Sequence, residues 1–284
     1  MKNGPHGIDS PHSSAGLNPS NSGKFTSVLV ARLKQNPILK VLSSIRANRV
    51  RALLMGGPAC VFYGAAEFSR NTDLALLASS ENFSRLNKTL SDLDAHVIAV
   101  PPFEPRYLRK GHAVHFRCQH AEARGMRVDV MTKMRGVDSF PKLWSRRTTV
   151  SVHDSTIELM SLPDLVQAKK TQRDKDWPMV RRLVEVNYFA NRENPTPEQL
   201  HFWLLELRTP ELLIELVLER GGLPPNLVRK RPLLALAQAS DESLLSDALL
   251  EEEKRERAAD RQYWIPLKKE LENLGHARVP QLNR

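Results

Sequence analysis

Paired glycines, two oxygen-bearing side chains at alternate positions and a later lone aspartate are the residues whose types and spacing could do chemistry. Gly56 and Gly57 follow the apolar run 52–55 and precede Pro58-Ala59-Cys60. A strand that passes through two glycines into a helix start presents backbone N–H groups and the positive end of a helix dipole, which suits a phosphate. Fourteen residues beyond Gly57 comes Asn71-Thr72-Asp73. Residues two apart on a strand share a face, so Asn71 and Asp73 can address one cation together. Asp129 lies in Arg127-Val128-Asp129-Val130-Met131, a strand whose other residues are mostly apolar. A charge in such a strand needs a partner or a cation, and beside Asp73 it would supply a further carboxylate for a metal site. Further along, Lys169 and Arg173 stand four apart. On a helix that spacing puts them on one face, as a grip on phosphate requires.

Each feature also has a plainer reading. Glycine pairs punctuate chains everywhere, Asn71 and Asp73 can belong to a strand-start turn, and Asp129 can be neutralised by Arg127 or Arg124. The basic stretch Lys169, Lys170, Arg173, Lys175, Arg181 and Arg182 can be a solvated face paired with Asp174, Asp176 and Glu185. His112, His115, Cys118 and His120 fit no zinc spacing and read as strand packing. The charged run 251–257 reads as exposed helix surface, and Phe202, Trp203, Leu204, Leu205 and Leu207 as helical core.

The elements that must position these residues follow from periodicity and turn chemistry. Residues 1–23, rich in Gly, Pro, Ser and Asn, read as a disordered tail. A helix is predicted over 24–44, with Val28, Leu29, Leu33, Ile38 and Val41 buried and Pro37 kinking or dividing it. Strands are predicted at 52–55, 72–78 and 96–100, with helices from 58 and over 82–95. Residues 112–118 and 126–131 read as paired strands joined by a polar turn, followed by short strands at 148–152 and 156–159. From Ser161 onward everything reads as helix. Starts are marked by Ser161 with Asp164, by Asp176 with Pro178, and by Thr196-Pro197-Glu198. Gly221-Gly222 ends a helix and Asp241 opens a long charged one. The expected fold class is α/β (α+β), with a mixed-sheet core over 24–160 and a helical region over 161–284.

Composition sets the outer bounds. The chain has 284 residues with 41% hydrophobic content, enough for one large domain or two small ones. No apolar run approaches the roughly 20 residues that span a bilayer, and the start lacks a secretory signal. A cytoplasmic protein without a membrane partner is expected. Cys60 and Cys118 are expected as free thiols in a reducing compartment. A formal net charge of +10 favours an anionic partner such as a nucleotide or nucleic acid.

Taken together, the Gly56-Gly57 pair, Tyr63-Gly64, Arg70-x-Thr72-Asp73, the later Asp129 and Leu165…Lys169…Arg173-x-Lys175-Asp176 resemble the nucleotidyltransferase fold of small bacterial nucleotidyltransferases and of AbiEii-type toxins. The resemblance covers about residues 50–186. That family carries Gly-Gly or Gly-Ser, a spacer of ten or slightly more residues, an Asp-x-Asp pair and a later Asp on a neighbouring strand. Here Asn71 stands where the first Asp of the pair is expected.

The resemblance implies a metal-dependent nucleotidyltransferase that moves a nucleotide from a nucleoside triphosphate to a hydroxyl on RNA, protein or a small molecule. Asp73, Asp129 and Asn71 would be its catalytic residues and its ligands for Mg²⁺ or Mn²⁺. In the family mechanism one ion activates the acceptor hydroxyl and another steadies the triphosphate and pyrophosphate. Gly56 and Gly57 would cradle the phosphates, while Arg70, Lys169 and Arg173 would offset charge on the transferred or leaving group. The Asn71 carbonyl can coordinate a cation but brings no charge. A unit charge pair at 4 Å is worth about 4 kcal/mol at an effective dielectric near 20, and each 1.36 kcal/mol is tenfold in rate, so a large fall in activity is expected. Two other readings share the fold. One is a non-catalytic module binding nucleotide, RNA or protein, and the other is the toxin of a toxin–antitoxin pair.

Overall fold

A computed structural model describes residues 37–152 and 155–278. The predicted tail at 1–23 and the first half of the predicted helix, with Val28, Leu29 and Leu33, lie outside the described residues. The described part of that helix, α1, covers Pro37–Ala47 and buries Ile38, Val41, Ser44 and Ile45.

Seven strands form one mixed sheet: β1 (Ala52–Met55), β2 (Asn71–Leu76), β3 (Ala95–Val97), β4 (Val114–Cys118), β5 (Arg127–Met131), β6 (Thr148–Val152) and β7 (Ser155–Leu159), in the order β3-β4-β5-β2-β1-β7-β6. β1 pairs antiparallel with β2 and parallel with β7, whereas β2 and β5 run parallel. Helix α2 (Gly56–Phe62) follows β1 without a gap, so both glycines belong to its first turn. Helix α3 (Ser80–Asp92) starts before the predicted residue 82 because the Ser79 side chain accepts from the Asn82 backbone N–H. Two six-residue helices, α4 (Pro105–Lys110) and α5 (Phe140–Ser145), are too short to show a helical period in the sequence.

The helical half contains α6 (Leu162–Lys169), α7 (Asp176–Asn191), α8 (Pro197–Glu206), α9 (Pro210–Leu218), α10 (Pro225–Lys230), α11 (Leu234–Gln238) and α12 (Glu242–Arg278). Ser161 caps α6 as expected, and Thr196 with Gln199 completes a capping box on α8. Asp176 does not cap α7. It is that helix's first residue, and its carboxylate accepts from Thr171 and Arg173 instead.

Alternation along the strands sorts the core into two layers. Leu54, Leu74, Leu76, Phe116, Val128 and Val130 pack with α1 and α3 on one face. Leu53, Met55 and Ala75 face the other way and join Leu165, Val180, Leu183, Trp203 and Leu249 of the helical half. The run 251–257 is only partly the exposed surface it was expected to be. Glu252 accepts from Arg208 and Arg231, both nearly fully buried, and Glu256 from Arg135, while Glu251, Lys254 and Arg255 face solvent. Farther along α12, Glu270 accepts from Lys110 and pairs with the buried His112. Gly111, at φ +114, lets the Tyr263 hydroxyl approach where a Cβ would lie 2.6 Å from it. Among the described residues, no helix is long and apolar enough to cross a membrane.

Candidate active site

The strand register puts the candidate ligands in a row. Asp73 stands opposite Met55 on one side and Asp129 on the other, and Asp129 stands opposite His115. Asn71 precedes Asp73 by two residues and lies opposite Arg127. All five polar side chains therefore project from the face that the helical half covers.

At the centre, the Asn71 Nδ2 donates to Asp73 Oδ1 at 2.6 Å and to Asp129 Oδ2 at 3.3 Å. Asp129 Oδ1 accepts from Arg127 Nε at 2.7 Å and meets His115 Nδ1 at 2.8 Å. Asp73 Oδ2 accepts from the Gly57 N–H at 3.3 Å. That approach requires glycine at 56, which sits at φ +64 and whose added Cβ would fall 2.0 Å from Asp73 Oδ2. The glycine pair thus makes room for the carboxylate in addition to turning the chain.

The two carboxylates differ in charge state because their neighbours differ. Burial, and then the nearby Asp129 charge, push Asp73 up to about 6, against the pull of the Gly57 N–H and of Lys169. Burial pushes Asp129 up as well, but hydrogen bonds and charge from His115 and Arg127 outweigh it and hold Asp129 below the usual carboxylate range. The site therefore contains one firmly ionised carboxylate and one that gives up its proton reluctantly.

A cleft of about 710 Å³ opens over this row. Every predicted site residue lines it: Gly56, Gly57, Arg70, Asn71, Asp73, Asp129, Lys169 and Arg173. Arg70 lies with its guanidinium 5.9 Å from the ring of the exposed Phe68. Lys169 and Arg173 do not share a helix face, because α6 ends at Lys169. They meet instead at Asp176, whose Oδ1 is 3.4 Å from Lys169 Nζ and whose Oδ2 accepts from Arg173 Nε at 2.7 Å. Burial raises the Asp176 carboxyl, and the charges of Lys169 and Arg173 with the Thr171 hydroxyl bring it below its ordinary value. Arg181 and Arg182 stand apart, in a separate hollow beside Trp177 and Arg208.

Several lining residues were not expected at the site, although Arg127 does neutralise Asp129 as the plainer reading of that aspartate had it. His115 and Arg127 are in phase with Asp129 across β4 and β5, which becomes legible only once the strand register is known. Lys133 and Arg135 add basic side chains to the rim, and Asp260, Tyr263 and Trp264 of α12 form the opposite wall. The histidine–cysteine group does not converge: His112 turns to Glu270, His115 to Asp129, and Cys118 is buried as a free thiol. Among the described residues, no group of three or more His, Cys, Asp or Glu is placed to hold a metal ion. An ion at the carboxylate row would rely on the Asn71 amide as its third ligand.

No protein-family model matches the chain, and no curated protein matches it. Among solved structures, the chain is similar to an antigenic nucleotidyltransferase-like protein from Paracoccidioides brasiliensis. That similarity has 15% sequence identity and a TM-score of 0.39, over 77% of this chain and 94% of that one.

Proposed function

We propose that the chain is a metal-dependent nucleotidyltransferase, weakened by Asn71, that transfers a nucleotide from a nucleoside triphosphate to a hydroxyl of RNA, protein or a small molecule. The supporting observation is the pairing of Asp73 with Asp129 at one register position, joined by Asn71, at the floor of a cleft rimmed with lysine and arginine. With the Asn71 amide turned over, so that its carbonyl replaces the Nδ2 that now faces both carboxylates, Asp73, Asp129 and Asn71 would offer an all-oxygen set of the kind Mg²⁺ and Mn²⁺ take. Since Asp129 Oδ1 is occupied by Arg127 and His115, the set suits one ion better than two. When bound, the ion would polarise phosphate oxygens and offset their charge.

The chain's own groups do the remaining work. Lys169, Arg173 and Arg70 draw in and neutralise the polyphosphate. His115 and Arg127 keep Asp129 ionised. Gly56 and Gly57 keep the floor open beside Asp73. A second reading is a binding module without catalysis, and one observation favours it: the uncharged Asn71 amide donates to both carboxylates and so joins them itself.

The test is to incubate the protein, and an Asn71→Asp version, with α-labelled nucleoside triphosphates, Mg²⁺ or Mn²⁺ and total cellular RNA. We expect label on RNA or protein, at least tenfold more with Asn71→Asp, and none with Asp73→Ala or Asp129→Ala. No label from either version, with no metal-dependent nucleotide binding, would leave the binding-module reading. Growth arrest on expression, relieved by a neighbouring gene product, would identify the acceptor reaction as that of a toxin.

A further inference from the structure

A second hollow, of about 450 Å³, opens at the other end of the central strand. Ala52 lines it at the start of β1, whereas Met55 lines the carboxylate cleft at that strand's end. Leu54 also lines this hollow, and because successive strand residues point to opposite faces it and Met55 open onto different sides of the sheet, so the two openings are distinct. Beneath the second hollow lie the core residues Ile45, Val50, Leu54 and Ile157, each at most 8% exposed, so its accessible apolar surface comes from the partly exposed Leu42 and Trp144, and Arg46, Arg49, Arg51 and Arg85 contribute to the rim.

Trp144 forms one wall and is partly exposed. The Arg51 and Arg147 guanidinium carbons lie 4.6 Å and 4.3 Å from its ring centre. Two carboxylates answer these charges: Glu158 accepts from Arg147 Nε at 2.7 Å, and Glu81 from Arg85 at 2.5 Å. Arg49, Arg51, Arg85 and Arg147 thus outnumber them two to one.

Arg49 is the informative residue. It is exposed and sits at φ +55, a conformation in which glycine is the undemanding choice. Its backbone carbonyl accepts from Arg85 at 3.1 Å, so its local geometry is fixed, while its exposed side chain is no part of the core. The positive φ belongs to the turn that closes α1, with the Arg49 N–H donating to Arg46 O and the Val50 N–H to Ile45 O, and that turn carries the arginine out to the rim of the hollow.

Exposed guanidinium planes beside a partly exposed indole are what single-stranded nucleic acid requires. Bases stack on such planes, and phosphates pair with the arginines. An acidic peptide would use the charges but not the indole. We infer that this hollow binds single-stranded nucleic acid, with a base against Trp144 and Arg51 and the backbone along Arg49 and Arg85. The inference does not depend on the nucleotidyltransferase reading, because none of these residues lines the carboxylate cleft except Leu54's neighbour Leu74, which borders both hollows.

The test is fluorescence anisotropy on the full chain with labelled twelve-nucleotide oligo(U) and oligo(dT), a twelve-base-pair RNA duplex and a hexaglutamate peptide, over a range of salt. Single strands should bind more tightly than the duplex or the peptide. Arg49→Ala/Arg51→Ala/Arg147→Ala should weaken single-strand binding at least tenfold and flatten the salt dependence by about 0.7 in log–log slope per lost phosphate contact. Lys230→Ala/Lys269→Ala, exposed basic residues that line neither hollow, should change it less than twofold. Arg49→Gly relieves the backbone, so it should raise the melting temperature while weakening binding severalfold.

Unchanged oligonucleotide binding in the triple variant and in Arg49→Gly would overturn the proposal, as would an equal loss in the Lys230→Ala/Lys269→Ala variant. Tighter binding of the peptide than of the oligonucleotides would overturn it in favour of a protein partner. Equal affinity for oligo(U) and oligo(dT) would support the shared base and phosphate chemistry, and tighter oligo(U) binding would support it with RNA as the source.

Discussion

Asp73 and Asp129 occupy one register position on neighbouring parallel strands, yet their surroundings push them in opposite directions. That divergence has a signed consequence for stability. The folded Asp73 value of about 6 lies above the ordinary 3.8, so the folded state holds this proton more tightly than the unfolded state. The Asp73 contribution is therefore fully present below about pH 4 and is lost as pH rises through 4 to 6, by up to about 3 kcal/mol. Asp129 and Asp176 are shifted downward and act in the opposite sense, losing stability as pH falls. Urea unfolding of wild type and Asp73→Asn, compared from pH 4 to 7, should show the variant gaining relative stability as pH rises. A pH-independent difference would rule out the strained carboxylate. Because a cation at the row would favour ionised Asp73, Mn²⁺ should raise the wild-type melting temperature at pH 7 and leave that of Asp73→Asn unchanged.

Among the elements, α12 makes contacts with long sequence separations, and its polar anchors are the most exposed to single substitutions. Glu252 is the carboxylate shared by Arg208 and Arg231, whose side chains are only 6% and 3% exposed. Removing one partner of a buried ionic group leaves the others uncompensated, at about 3–5 kcal/mol. Glu252→Ala should lower the unfolding free energy from urea titration by that amount and make α12 protease-sensitive, whereas a loss under about 1 kcal/mol would mean the arginines find other partners.

The strands were legible where one face had to be apolar, as in the run Leu53–Met55 and the alternation around Asp129. The pair at 71 and 73 was legible from spacing, and Asp129 from a charge in an apolar strand. What failed has physical causes. Lys169 and Arg173 were expected on one helix, but residues 170–175, Lys-Thr-Gln-Arg-Asp-Lys, offer no apolar side chain to bury, and the helix stops. Glu252 looked like surface because a charged heptad gives no sign that buried arginines more than twenty residues away are waiting for it.

At the scale of the molecule, the sheet does not own its core. One face is closed by α1 and α3, the other by side chains from α6 to α12, and the two halves meet through buried Met160, Ser161 and Leu162. A fragment covering residues 37–160 would leave Leu53, Met55 and Ala75 uncovered. We expect it to lack a cooperative thermal transition by circular dichroism, while the whole chain unfolds in one step. A sharp melt from the fragment would show that the sheet stands alone.

The wall formed by α12 also gives the cleft a history in time. The cleft's lining residues outside α12 are all made by Met179, and Asp260, Tyr263, Trp264 and Leu271 begin to follow about eighty residues later. At 5–20 residues per second, translation takes roughly 4–16 s to cover that stretch. During that interval each nascent chain already has its carboxylates, glycines and basic rim, but the fourth wall of the cleft has yet to be synthesised. The site is therefore completed only when α12 is made, well after the last strand of the sheet.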